Sequence, residues 1–203
     1  MEPAQRTEPE LSFLRDLPLS RRAVAFASER HGGQRRGGDG APFLVHPLEA
    51  AALLERTSWP DYVIAAAVLH DVLEDTDVEP AELESRFGPD VTRLVELVSD
   101  DPAIADRERR KDDVRERVQQ AGGEGLAVFA ADKVSKVREL RMLVANGLGP
   151  HDADIKTRRY RKALEMLELE IPDSNVVDLL RFELEALEQL PPEPSSRAPN
   201  NDE

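Results

Sequence analysis

Proline and glycine cut this chain into short stretches, and almost none of them alternates with the two-residue period of a strand. Pro47, Pro60 and Pro80 each stand where a helix can begin, because proline's fixed φ suits a first turn and its missing N–H costs nothing there. Gly88-Pro89, Asp101-Pro102, Gly122-Gly123, the turn Asn146 to Pro150, and Pro172 mark further breaks. Between breaks, apolar residues recur at helical spacing. Ala23, Phe26 and Ala27 share one face of a helix expected over about 20–30. Others are expected over 48–56, from Pro60-Asp61 to His70-Asp71, and over 81–87, 89–99, 104–120, 126–144, 152–170 and 173–189. The expectation is an all-α domain of eight to ten helices.

With 203 residues, 40% of them hydrophobic, there is enough apolar material for one good-sized core, built mainly of Leu, Val and Ala because aromatics are only 4%. Residues 1–17 and 191–203 are polar and proline-punctuated and read as tails around a body at 18–190. No cysteine is present, which removes disulfides, thiolate ligands and cysteine nucleophiles and fits a reducing compartment. The start Met1-Glu2-Pro3-Ala4-Gln5 has no signal-peptide character, and the longest apolar run, Tyr62 to Leu69, falls far short of the roughly 20 residues that span a bilayer. The cytoplasm is the expected location. A net charge of −14 argues against broad binding to nucleic acid or anionic membrane.

The chemistry concentrates where the apolar run Ala65-Ala66-Ala67-Val68-Leu69 ends in His70-Asp71. Helical spacing places His70 beside Glu74 and Asp71 beside Asp75. Three carboxylates would then crowd the C-terminal end of a helix, where the macrodipole disfavours them and a cation would relieve the conflict. His46, in Pro42-Phe43-Leu44-Val45-His46-Pro47, and Asp132, among Val128, Phe129, Ala130, Ala131 and Val134, would complete such a site. A structural helix-end pair and a buried Asp132 ion pair are the plainer alternatives. Two imidazoles and two carboxylates suit a borderline divalent ion, Mn²⁺ first, then Fe²⁺, Mg²⁺ or Zn²⁺, able to activate a bound water. Glu74 and Asp75 could orient that water or move its proton; otherwise they are a solvated acidic helix end.

An anionic substrate would need local positive charge. Arg35 and Arg36 lie in the glycine-rich stretch Gly32 to Gly40; Lys133 follows Asp132, with Lys136 and Arg138 about a turn on. Arg141 and Arg158-Arg159 read as solvated surface, and nothing in the sequence assigns a role to the charged helix 104–120.

The order His46, His70-Asp71, Asp132 resembles the HD-domain metal phosphohydrolases. His31-Gly32-Gly33-Gln34-Arg35-Arg36, Pro42 to Pro47, His70 to Thr76, Val98-Ser99-Asp100-Asp101 and Ala131-Asp132-Lys133 with Val137-Arg138-Glu139-Leu140 narrow the likeness to the hydrolase module of the RelA/SpoT alarmone enzymes, closest to the stand-alone small hydrolases. It spans about residues 20–170. The resemblance implies an all-helical HD domain in which His46, His70, Asp71 and Asp132 hold one Mn²⁺ and Glu74 and Asp75 are catalytic. It implies removal of the 3′-pyrophosphate of guanosine tetra- or pentaphosphate, with Arg36 facing the base and Lys133 and Tyr160 lining the nucleotide pocket. Removal of a phosphate from NADPH is associated with the metazoan type, and a non-catalytic nucleotide-binding module is the competing class. The chain departs from the family pattern at Lys136, where relatives carry Asn, and at Gly37, where they carry a basic residue.

Overall fold

The segment Asp61–Leu69 is apolar on every side, so it can only be satisfied when other helices enclose it, and Val63 through Leu69 are all buried. The computed structural model describes residues 11–37 and 39–190. Its helices are α1 (Pro18–Arg30), α2 (Val45–Arg56), α3 (Asp61–Leu69), the single turn α4 (Val72–Asp75), α5 (Pro80–Phe87), α6 (Pro89–Val98), α7 (Arg107–Ala121), α8 (Gly123–Ala145), α9 (Pro150–Glu170) and α10 (Asn175–Glu188). An isolated bridge between Arg35 and Pro42 closes the glycine-rich loop, and no strand is formed among the described residues. The all-α expectation holds.

Helices α1, α2, α6 and α8 all pack on α3, while α8 also carries α2, α7, α9 and α10. Small residues permit this crowding: Ala50, Ala51, Ala65, Ala66, Ala67, Ala130 and Ala131 are all wholly buried, which lets α2, α3 and α8 approach closely. Gly125 serves the same end, because a Cβ there would meet Leu97 Cδ2 at 2.5 Å.

Several boundaries differ from expectation for local reasons. Helix α7 starts at Arg107 rather than near residue 104, because the Asp106 side chain accepts from the Arg109 N–H at 2.7 Å and caps it. Gly122, at φ 65°, ends that helix, and α8 begins immediately at Gly123 rather than at Leu126. Within the stretch expected as an N-terminal tail, Ser12–Leu14 forms a 3-10 turn with Leu14 buried, so the folded body begins before residue 18. Residues 1–10 and 191–203, the rest of the expected tails, lie outside the described residues.

The entry to α1 is held from a distance. Asp61 accepts from the backbone N–H of Leu19 (2.8 Å) and Ser20 (2.9 Å) and from the Ser20 hydroxyl (2.6 Å). Asp61→Ala removes all three hydrogen bonds, and we expect a loss of about 1–3 kcal/mol in urea unfolding. A loss below about 0.5 kcal/mol would show that the cap is dispensable, that being the usual range for surface substitutions.

Candidate metal centre

The helix expected from Pro60-Asp61 to the His-Asp pair does end there, and the next turn is a separate short helix. His70 is the C-cap of α3 and Asp71 the N-cap of α4, so the polypeptide turns at the His-Asp pair and points both side chains inward. The acids at 74 and 75 accordingly fall in α4 rather than on the end of α3. His46 comes from the first turn of α2 and Asp132 from the middle of α8. All four side chains are buried.

They converge. His46 Nε2 lies 3.0 Å from His70 Nε2; Asp132 Oδ1 is 3.1 Å from His46 Nε2 and 3.4 Å from His70 Nε2. Asp71 Oδ2 stands 3.4 Å and 3.2 Å from the same two nitrogens. The proton positions follow from the far sides of the rings. His70 Nδ1 is 2.8 Å from the Ala67 carbonyl, which can only accept, so Nδ1 carries the hydrogen. In the neutral ring Nε2 is then a lone pair. His46 Nδ1 is likewise engaged, 2.8 Å from the Ser135 hydroxyl.

His46, His70 and Asp132 thus form a buried group that could hold a metal ion. Asp132 Oδ1 is buried with no hydrogen-bond partner, an orphan acceptor that demands a cation. Two ring nitrogens facing each other across 3.0 Å also require something positive between them. Metal–ligand bonds of about 2.0–2.2 Å set neighbouring donors roughly 3 Å apart, the spacing found here.

Without a metal, a proton plays that part. Burial works to lower the His70 pKa, but the carboxylates of Asp71 and Asp132 outweigh it and push it up to about 10. Burial opposes the ionised forms of Asp71 and Asp132 as well, yet His70, Lys136 and Lys133 hold both well below the usual carboxylate range. The stability that a raised His70 contributes is complete below its unfolded value of 6.5 and is lost as pH rises toward 10. In chelator, we therefore expect stability to decline between pH 6.5 and 9 by a few kcal/mol at most. Saturating divalent ion should suppress the decline, and thermal melts in chelator that stay flat over that range would show that His70 carries no extra proton.

The centre opens into a cleft of about 250 Å³, lined by His70, Asp71, Glu74, Asp132 and a ring of cations. Lys133 and Lys136 come from α8; Lys133 pairs with Asp132 Oδ2 and Lys136 Nζ lies 3.3 Å from Asp71 Oδ2. Helix α7 contributes Arg107, Lys111 and Arg115, and α9 contributes Lys156, Arg159 and Tyr160. Lys111 pairs with Asp100 at 2.7 Å, Arg115 with Asp112 and Arg159 with Glu108. Among the described residues Arg107 and Lys156 make no ion pair. Burial, then the repulsion of Arg107, lowers the Lys156 pKa, a conflict that a bound anion would relieve. Burial pushes the Tyr160 phenol up to about 12, so its hydroxyl stays a donor.

Glu74 stands at the rim, its Oε1 accepting from the Asp100 N–H at 2.9 Å, and burial raises its pKa. Asp75 does not line the cleft, although burial and Asp71 raise its pKa and Gln34 Nε2 donates to its carbonyl oxygen at 2.9 Å. Arg35 and Arg36 are not in the cleft either. Arg35 donates to the Gly40 carbonyl (2.8 Å), and Arg36 pairs with Asp39 beside a separate depression lined by Val45, Leu48 and Met142. Glu139 borders both depressions.

Sequence reasoning missed the α7 and α9 cations, and its reading of Arg159 as solvated surface is corrected by the cleft. A signal existed: Arg107, Lys111 and Arg115 recur every fourth residue, and Lys156, Arg159 and Tyr160 share one helical face.

The family model for the HD domain matches residues 23–145, more than half of the chain and all four converging side chains. The chain belongs to the HD domain family. It is 37% identical over 132 residues to mouse guanosine-3′,5′-bis(diphosphate) 3′-pyrophosphohydrolase MESH1, covering 64% of this chain and 73% of that one. The zebrafish protein of the same name is 38% identical over 127 residues, 61% and 70% of the two chains. This HD domain also superposes on a solved metazoan orthologue of SpoT, described as hydrolysing ppGpp, with TM-score 0.75 and 26% identity over 85% of this chain and 97% of that one. Among the described residues, no helix is long and apolar enough to cross a membrane.

Proposed function

We propose that the chain is a divalent-metal-dependent phosphohydrolase, with Mn²⁺ as its ion, that removes the 3′-diphosphate of guanosine 3′,5′-bis(diphosphate). The observation that carries this reading is the orphaned Asp132 Oδ1 facing two imidazole nitrogens at the floor of a cation-lined cleft. Likeness to the MESH1 enzymes, named for that reaction, supports the substrate.

His46, His70, Asp71 and Asp132 would hold the ion. A divalent cation held there would supply Lewis acidity, making a water easier to deprotonate and offsetting phosphate charge. Glu74, on the cleft rim with a raised pKa, is a stronger base than a free glutamate and takes the proton of the attacking water. The water oxygen bonds to the phosphorus attached to the ribose 3′ oxygen as that P–O3′ bond breaks; the 3′ oxygen takes back a proton and becomes a hydroxyl, and the diphosphate leaves. Asp75, whose pKa is also raised, assists that proton's departure. Lys133, Lys136, Lys156 and Arg107 neutralise the phosphates, and the Tyr160 hydroxyl donates to the nucleotide. Arg36, beside the apolar shelf of Val45, Leu48 and Met142, offers a guanidinium to the base.

The test is a panel of guanosine and adenosine polyphosphates plus NADPH, with Mn²⁺ present and products identified. Release of GDP and pyrophosphate from the guanosine bis(diphosphate) is expected. Phosphate released only from NADPH would move the substrate, and tight binding without any turnover would leave a binding module. Lys156→Met should raise KM about tenfold or more with kcat little changed, since a hydrogen bond to a charged group contributes about 1.5–3 kcal/mol. An unchanged KM would remove Lys156 from the phosphate path.

A further inference from the structure

We propose that Glu49 and Ser135 are positioning residues that hold His46 with its Nε2 lone pair turned to the metal centre, through a carboxylate–hydroxyl–imidazole relay. The inference rests on His46 being a metal ligand. Each of two helices supplies one ligand and, three residues on, one relay member: His46 and Glu49 on α2, Asp132 and Ser135 on α8. Ser135 is wholly buried, so its hydroxyl must find its partners inside the protein.

Those partners fix the direction of every proton. Ser135 Oγ lies 2.6 Å from Glu49 Oε2 and 2.8 Å from His46 Nδ1. A hydroxyl has one hydrogen and a carboxylate only accepts, so that hydrogen goes to Glu49. Ser135 Oγ must then accept from His46 Nδ1–H, which leaves Nε2 unprotonated. The competing acceptor, the His46 carbonyl, is 3.5 Å away and too distant to take the hydrogen. His70 is oriented by a neutral backbone carbonyl, whereas His46 is tied through Ser135 to an anion. Arg138 holds the arrangement: its Nη1 pairs with Glu49 Oε1 at 2.5 Å while its Nε pairs with Glu183 of α10 at 2.7 Å. Glu49 is thereby left with one oxygen for Ser135.

The test measures Mn²⁺ affinity of the chelator-stripped full chain by competition with a fluorescent chelator, alongside melting without metal. Ser135→Ala should weaken binding about 10–100-fold, the usual effect of removing an outer partner of a ligating histidine. Glu49→Gln should weaken it in the same direction by less, and Ser135→Thr, which keeps the hydroxyl, should return it toward the parent value. Metal-free melting in Glu49→Gln should fall only modestly, by the loss of the Arg138 pair. If Ser135→Ala does not fold, Glu49→Gln decides, because its amide keeps the shape but loses the charge and one of the two acceptor oxygens. Parent-like affinity in the variants, with or without lower melting temperatures, overturns the relay and leaves the metal centre standing. A parent chain that binds no divalent ion overturns both.

Discussion

Alanine at His70 should abolish divalent-ion loading and lower nucleotide hydrolysis at least about 10⁴-fold, the upper end of what loss of a proton-transfer group alone would cause. The effect is this large because one substitution removes both the ring that faces His46 across 3.0 Å and the cation that separates Asp71 from Asp132 in the metal-free protein. Breaking such a buried charge group commonly costs about 3–5 kcal/mol. Lys133 on Asp132 and Lys136 on Asp71 remain to offset part of that, so the fold should survive with a lowered melting temperature. Asp132→Asn is the companion variant: it keeps the shape, loses the orphan carboxylate oxygen and should also fail to load. Metal content after dialysis and initial rates read the outcome. Either variant retaining a full equivalent of metal would refute the four-ligand centre.

Glutamine at Glu74 separates chemistry from binding. Turnover should drop about 10²–10⁴-fold while Mn²⁺ affinity and KM stay near those of the parent. Glu74 is at the cleft rim, outside the His46–His70–Asp132 group, and its Oε1 already has a fixed partner in the Asp100 N–H. Glutamine can keep that contact through its amide oxygen but cannot take a proton. The parent's rate should rise with pH as Glu74 ionises, because burial raises its pKa above the usual glutamate value. The alkaline arm of a rate–pH profile should survive in Glu74→Gln and the acid arm should not. A variant with parental kcat would transfer the base role to Asp75, whose pKa is raised by burial and by Asp71.

Much of this arrangement was legible before any coordinates. Pro60, Pro80 and Gly88-Pro89 act on the backbone next to them, so the helix starts at α3, α5 and α6 follow directly from residue type, whereas α2 begins at Val45, two residues before Pro47. Asp132 could be singled out because a carboxylate amid Val128, Phe129, Ala130, Ala131 and Val134 has no cheap place to go. Asp106 as the cap of α7, and the placing of Glu74 and Asp75 in a separate short helix, were missed. In each case a single side chain or peptide outweighs the apolar periodicity around it.

Residue types and their spacing determined an all-helical chain, an apolar α3 that must be enclosed, and a His-Asp pair with a distant His and Asp able to grip a cation. Those conclusions rest on local backbone preferences and on the cost of burying charge, and both act over a few residues. Only tertiary packing decided that α7 and α9 face α8 across the cleft, turning Arg107, Lys156 and Arg159 from ordinary surface charges into its walls. It also decided that Arg35 and Arg36 stand outside that cleft, and that Glu49 reaches His46 through Ser135. A charged side chain at a helix surface is at ease in water, so its own sequence carries no energetic signal of what it will face. That is settled only when the apolar stripes of separate helices are buried against one another.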